Sequence, residues 1–225
     1  MTDYEVMREN MIDGQILPNK VTRRALIEAM SRLPREHFVA KGRRSVAYLD
    51  ADIEIAPDRY LMKPWVFARL VEALAPTTDD IGLYIGSGSG YGVAVLASLC
   101  STVIGLECDA ALAERASGLF VELEIDNAVI VEGSLERGYA EQGPYDLILL
   151  EGAVPDVPSV ILDQLTKNGR LVAVVSSGGS LGEATIIRRV GKAYGQRILI
   201  NAAPTPLPGF QDSSEFAISF TPCNL

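Results

Sequence analysis

The sequence predicts an α/β fold, a doubly wound and mostly parallel sheet with an N-terminal helical extension. Three observations predict it. From Ile81 onward, short apolar runs alternate with segments of helical spacing, as strands covered on both faces by crossover helices do. Before that point, apolar residues recur at helical intervals. Beyond Arg170–Val175, strand-like runs flank a glycine-bounded turn at Gly191–Gly195, so the sheet is expected to finish with antiparallel strands.

Met7, Met11 and Ile12 mark a first helix, and Ala25, Leu26, Ala29, Met30 and Leu33 a second, with Thr22 as its N-cap and Pro34 as its stop. The stretch 41–62 lacks a long period and reads as turns with one short strand at Ile53–Ile55. Val66, Phe67, Leu70, Val71 and Leu74 form a third helix, closed by Ala75-Pro76. Then follow a strand at Ile81–Ile85, a helix at Tyr91–Cys100 and a strand at Thr102–Leu106 ending at Glu107. A helix at Ala110–Leu123 and strands at Ala128–Val131 and Asp146–Leu150 continue the alternation. Val157–Leu165 reads as a helix, and Asn168-Gly169 as a turn into Arg170–Val175. Thr185–Val190 and Arg197–Ala202 form a hairpin, and Phe216–Phe220 a returning strand.

The chain has 225 residues, a length suited to one domain. Residues 1–76 form its helical N-terminal segment, and 77–225 its sheet core with C-terminal antiparallel strands. Apolar residues make up 48% and charged residues 22%, a globular balance. The longest apolar stretches, Val93–Leu106 and Tyr145–Val154, are broken by polar residues, so no membrane span is expected. Asp3, Glu5 and Glu9 replace the basic start of a secretory signal. A net charge of −9 disfavours nucleic acid as a partner. Cys100, Cys108 and Cys223 cannot all pair and form no CxxC, which fits a reducing cytoplasm. The single histidine, His37, excludes a His-rich metal site, so no metal is expected; nor is there a G-x-S-x-G elbow for a hydrolytic triad. His37 is read as a structural anchor.

The strongest local signal is Gly86-Ser87-Gly88-Ser89-Gly90-Tyr91, between a strand and a helix. Glycine lets the backbone turn sharply and lets a ligand approach it closely. A dinucleotide loop reads G-x-G-x-x-G; here the third glycine comes one residue early. That spacing favours S-adenosylmethionine over a nicotinamide cofactor. Glu107, 21 positions after Gly86 and at the end of the next strand, is placed to accept hydrogen bonds from ribose hydroxyls.

Taken with Met7 to Ile12, Pro34 to Val39, Ala47 to Asp50, Pro144 to Leu149, Val154 to Pro158 and Leu165 to Val172, the loop resembles the protein-L-isoaspartate O-methyltransferase family over nearly the whole chain. The resemblance implies a Rossmann-like, S-adenosylmethionine-dependent methyltransferase fold. It also implies an enzyme that methylates a carboxylate on an isoaspartyl protein or peptide, or on a small carboxylic acid. The implied cofactor residues are Gly86, Ser87, Gly88, Gly90, Tyr91 and Glu107, with Ser134 and Leu135 beside the adenine.

Several family positions differ. Tyr84 stands where the family carries an acid, and Ser134-Leu135 replaces its Asp-Gly. The family's Thr-Ile-Ser acceptor motif reads Tyr60-Leu61-Met62 here, and Ala56-Pro57-Asp58-Arg59 replaces a glycine-rich turn. A thioether cannot donate the serine's hydrogen bond. Arg59, Tyr60, Met62, Lys63 and Trp65 are therefore the acceptor-side candidates. Arg59 and Lys63 read either as a solvated pair or as charge-assisted donors to an acid; Met62 and Trp65 read equally as core. The alternatives to isoaspartyl methylation are transfer to an unrelated small acid, or a non-catalytic cofactor-binding or interaction protein on the same fold.

Overall fold

The computed structural model describes residues 3–176 and 181–210. The strand expected at Phe216–Phe220 and the third cysteine, Cys223, lie outside them. Helix α1 (Tyr4–Met11) is capped by the Asp3 carboxylate, which accepts from the Val6 N–H. Helix α2 (Arg24–Arg32) buries Leu26, Ala29 and Met30. Its expected cap, Thr22, does not act as one, because Arg23 holds that position without a side-chain bond. Glu72, on the next helix, instead accepts from the Thr22 N–H, the Thr22 hydroxyl and the Arg23 N–H at 2.9–3.2 Å. A carboxylate brought by packing outcompetes the local hydroxyl because its hydrogen bonds are charge-assisted.

Short 3₁₀ turns at Arg35–Phe38 and Lys41–Val46 lead to a two-stranded hairpin of β1 (Ile53–Ala56) and β2 (Arg59–Leu61). Two strands form where one was expected, because Asp58 accepts a left-handed turn at φ +58°. Helix α3 (Pro64–Leu74) follows with proline in its first turn, where no N–H is needed. It ends at Ala75, as expected.

The main sheet contains β3 (Ile81–Ile85), β4 (Thr102–Glu107), β5 (Ala128–Glu132), β6 (Tyr145–Val154), β7 (Leu165–Val175), β8 (Gly182–Val190) and β9 (Ala193–Ala202), in the order β5-β4-β3-β6-β7-β8-β9. The five strands β5, β4, β3, β6 and β7 are parallel, and β8 and β9 are antiparallel additions. Between them run α4 (Tyr91–Ala97), α5 (Ala110–Glu122) and the short α6 (Ser159–Leu162).

Three expectations about these elements need correction. Helix α4 stops at Ala97 rather than Cys100, and the Asn127 side chain donates to the carbonyls of Ala97, Cys100 and Ser101 at 2.8–3.3 Å. The helix expected at Val157–Leu165 shrinks to α6, because Leu165 joins β7 opposite Tyr145. The expected Asn168-Gly169 turn is a register shift inside β7, where pairing moves from Leu165 to Arg170 as the partner strand moves from Tyr145 to Leu147. Sheet pairing outweighed helical spacing there.

Alternate residues of the central strands pack to opposite faces. Tyr84, Leu147 and Leu149 join the cluster under the N-terminal helices, α3 and α4. Leu83, Ile85, Ile148 and Leu150 join the other, with Ile161 and Leu162 of α6. Among the described residues, no helix is long and apolar enough to cross a membrane, and no group of three or more His, Cys, Asp or Glu is arranged to hold a metal.

Candidate cofactor and acceptor site

Chain order reverses at β3, whose neighbours are β4 on one side and β6 on the other. Ligands of open α/β sheets bind outside the carboxyl ends of the strands at such a point. Three segments meet there: the glycine loop after β3, Glu107 at the end of β4, and Glu151 near the end of β6.

In the loop, Gly86, Gly88 and Gly90 all have positive φ (+80°, +53° and +90°), a conformation that L side chains resist. The Gly86 and Ser87 N–H groups donate to the Leu106 carbonyl, which fixes the loop to β4. The Gly88 N–H donates to Glu107 Oε2 at 2.6 Å. The hydroxyls of Ser87 and Ser89 are buried without a hydrogen-bond partner among the described residues.

Glu107 is fully buried, and its carboxylate is saturated. Besides Gly88, it accepts from the Cys108 N–H at 2.9 Å and the Asp109 N–H at 3.1 Å. Arg59 adds a two-pronged pair, Nη1 to Oε1 and Nη2 to Oε2, the latter at 2.7 Å. Burial works to raise the Glu107 carboxyl, but Arg59 and the backbone donors outweigh it and hold it below the usual carboxylate range.

Arg59 belongs to the β1–β2 hairpin, which lies over the loop. A Cβ on Gly88 would come within 2.8 Å of Ile55 Cδ1, and one on Gly86 within 2.6 Å of Leu207 Cδ2. Leu207 is held by backbone bonds between Ala153 and the residues Thr205 and Leu207. The open space left beside Arg59, Tyr60, Met62, Glu151 and Leu207 is about 20 Å³, room for about one water.

These residues fit S-adenosylmethionine in kind. The loop supplies a side-chain-free surface with unpartnered hydroxyls beside it, and Glu107 is a carboxylate of the kind that accepts from ribose hydroxyls, its oxygens here engaged by Arg59, the Cys108 thiol and backbone N–H groups. The nearest atoms over Gly86 and Gly88 are side-chain ends, Leu207 Cδ2 and Ile55 Cδ1.

Of the other cofactor candidates, Tyr91 turns its ring into the core, against Phe38 and Phe67 at 5.4 and 5.9 Å, with Arg35 stacked on it at 4.7 Å. Ser134 is exposed after β5, whereas Leu135 is buried in the second core cluster. Of the acceptor-side candidates, Arg59, Tyr60 and Met62 line one cavity. Lys63 and Trp65 instead pair with each other, the ammonium 5.5 Å from the ring centroid. Met62 is also a core residue, 2% exposed. His37 sits on the first 3₁₀ turn, in a separate groove with Lys41, Arg44 and Arg115.

Two residues of the site escaped sequence reasoning. Arg35, fully buried, donates to the carbonyls of Ala47 (2.8 Å) and Met62 (2.7 Å), tying together three motif segments. Glu151 lines the cavity and accepts from the Met62 N–H at 3.3 Å. Burial pushes its carboxyl up to about 7, against the opposing pull of Tyr84, the Met62 N–H, Arg35 and Arg59. The Tyr84 hydroxyl influences Glu151 electrostatically but makes no hydrogen bond of normal geometry among the described residues. The available signal was a lone acid at the carboxyl end of an apolar strand, Leu147 to Leu150.

Comparison with known proteins shows the family and the fold. The family model described as protein-L-isoaspartate(D-aspartate) O-methyltransferase matches residues 6–202. The chain is 34% identical to protein-L-isoaspartate O-methyltransferase 2 of Pelobacter propionicus, covering 93% of each chain. It is 35% identical to the protein-L-isoaspartate O-methyltransferase of Roseiflexus sp., covering 92% of this chain and 94% of the relative. A solved protein-L-isoaspartate O-methyltransferase superposes with a TM-score of 0.80 at 23% identity, covering 90% of this chain and 66% of that one. A putative one from Plasmodium falciparum, in complex with S-adenosyl-L-homocysteine, superposes with a TM-score of 0.76 at 18% identity, covering 92% and 99%.

Proposed function

The chain belongs to the protein-L-isoaspartate O-methyltransferase family, and from that premise we propose that it methylates the carboxylate of isoaspartyl residues in proteins or peptides, as a single methyltransferase domain. The observation that carries the reading is the glycine loop at the switch point with Glu107 beside it, inside a family match that spans residues 6–202.

Gly86, Ser87, Gly88 and Gly90 would carry the cofactor, Glu107 would hold its ribose, and Ser134 and Leu135 would border the adenine; Tyr91 contributes by anchoring the first turn of α4 in the core. Bound, S-adenosylmethionine supplies an electrophilic methyl group whose sulfur leaves as a neutral thioether. The chain's task is then to align a carboxylate and keep water out. No general base is required, because the acceptor carboxyl is already ionised at neutral pH. Arg35 holds the Met62 carbonyl and so sets the course of the acceptor segment. Tyr60 and Met62 supply apolar wall, and Arg59 supplies the charge that draws an acid.

The test is labelled methyl transfer from S-adenosylmethionine to an isoaspartyl peptide, its normal aspartyl twin and a panel of small acids. Labelling of the isoaspartyl peptide alone is expected. Equal labelling of both peptides, or of an unrelated acid only, would overturn isoaspartyl specificity.

A further inference from the structure

We infer that Arg59 is the carboxylate-binding residue of the acceptor pocket, and that cofactor binding delivers it there by displacing it from Glu107. The inference rests on the methyltransferase reading. Glu107 takes six donors, and a carboxylate offers about four acceptor sites. Three of those donors are backbone N–H groups held by the loop and the turn before α5, and a fourth is the Cys108 thiol, a weak donor at 3.5 Å. The two that can leave come from Arg59, and two ribose hydroxyls replace them one for one. The ribose site and the Arg59 site on Glu107 are therefore the same site.

A displaced Arg59 needs a new partner. Its side chain is 9% exposed, and a buried guanidinium left unpaired is strongly destabilising. Arg59 lines the cavity shared with Tyr60, Met62 and Glu151, so the cavity is where a displaced guanidinium can turn. The acids already there are partly committed. Asp52 is engaged by the Lys63 N–H at 2.7 Å, Asp58 sits on the exposed turn, and Glu151 already accepts from the Met62 N–H at 3.3 Å. An acceptor carboxylate entering the cavity can take two guanidinium N–H groups at once, the two-pronged geometry that suits a carboxylate. Ile55, on the same hairpin, covers Gly88, so the cofactor must displace that side chain as well.

The consequence is that the cofactor and the acceptor bind cooperatively, and by linkage each raises the other's affinity by the same factor. Calorimetry tests this with S-adenosylhomocysteine and an isoaspartyl peptide, each titrated with and without the other. The same peptide with its isoaspartyl carboxyl amidated is the control. In the wild type, S-adenosylhomocysteine is expected to tighten the acidic peptide by at least about tenfold and the amidated one not at all. Arg59→Gln is expected to bind S-adenosylhomocysteine more tightly than wild type and to lose the coupling. Arg59→Lys, which keeps the charge without the fork, should retain part of it. Equal peptide affinity with and without S-adenosylhomocysteine, or coupling that survives in Arg59→Gln, would overturn the exchange and leave the methyltransferase reading standing. Failure of the wild type to bind S-adenosylhomocysteine at all would remove both.

Discussion

The hydroxyl of Tyr84 fills the space a side chain on Gly92 would need: a Cβ there would come within 2.0 Å of Tyr84 Oη. Tyr84 is fully buried under the first turn of α4, so the ring has no room to yield. Gly92→Ala is therefore expected to destabilise the fold by about 1–3 kcal/mol through overpacking. In a Tyr84→Leu background the same change should cost far less, or become favourable by alanine's better helix propensity. Urea denaturation of the four proteins in that cycle measures the coupling, and equal penalties in both backgrounds would contradict it.

Arg170 joins the start of the sheet to the end of α3. Its guanidinium bonds both Asp80 oxygens at 2.6 and 3.0 Å and donates to the carbonyls of Leu74, Ala75 and Asp146. Asp80→Asn should cost about 3–5 kcal/mol, because it leaves a buried cation without its counter-charge. Burial works against the Asp80 carboxylate, but Arg170 and the Thr77 N–H outweigh it and keep its folded pKa below the ordinary value. The stabilisation is thus present above the unfolded pKa and fades as pH falls through the folded one. Acid titration of stability should show that loss in the wild type and a shallower slope in Asp80→Asn.

Glu151 acts in the opposite sense. Its folded pKa of about 7 exceeds that of an unfolded glutamate, so the folded state holds the proton more tightly. Stability should fall as pH rises from the unfolded value through about 7, by roughly 3 kcal/mol in all. Glu151→Gln should flatten that decline and be the more stable protein at alkaline pH. Unfolding free energies at pH 5.5, 7 and 8.5 decide it, and parallel profiles for the two proteins would refute the assignment.

Met62 serves the core and the cavity together. Met62→Ser introduces the hydroxyl that the family resemblance implies at this position, and isoaspartyl transfer should rise, by as much as about 10²-fold if positioning limits the rate. The lost packing should lower stability by about 2–5 kcal/mol. Rate per folded molecule, measured beside thermal unfolding, separates the two effects. An unchanged rate would show that the hydroxyl is not what limits transfer.

The parts of this site legible in the sequence are those made by neighbours along the chain. The glycine loop is read from six consecutive residues, and Glu107 from its place at the end of the following strand. The departures were equally plain, since Met62 and Tyr84 are single letters in recognisable motifs. What escaped notice depends on distant partners. Arg59 and Glu107 are 48 positions apart, and Met62 and Glu151 are 89 apart. Thr22 looked like a cap because nothing local reveals Glu72, 50 positions on.

By itself, then, the sequence determined the alternation of strands and helices, the loop that turns without side chains, and the family. The first two follow from periodicity and from backbone freedom, which are properties of short segments, and the family from the resemblance carried by an ordered set of motifs. Only the tertiary structure decided that Arg59 lies on Glu107, that Tyr84 rests against Gly92, and that a carboxyl group is buried at Glu151. Each of these is a contact between side chains that the sheet order brings together, and its energy comes from desolvation and charge pairing in a shared interior, which no single segment possesses alone.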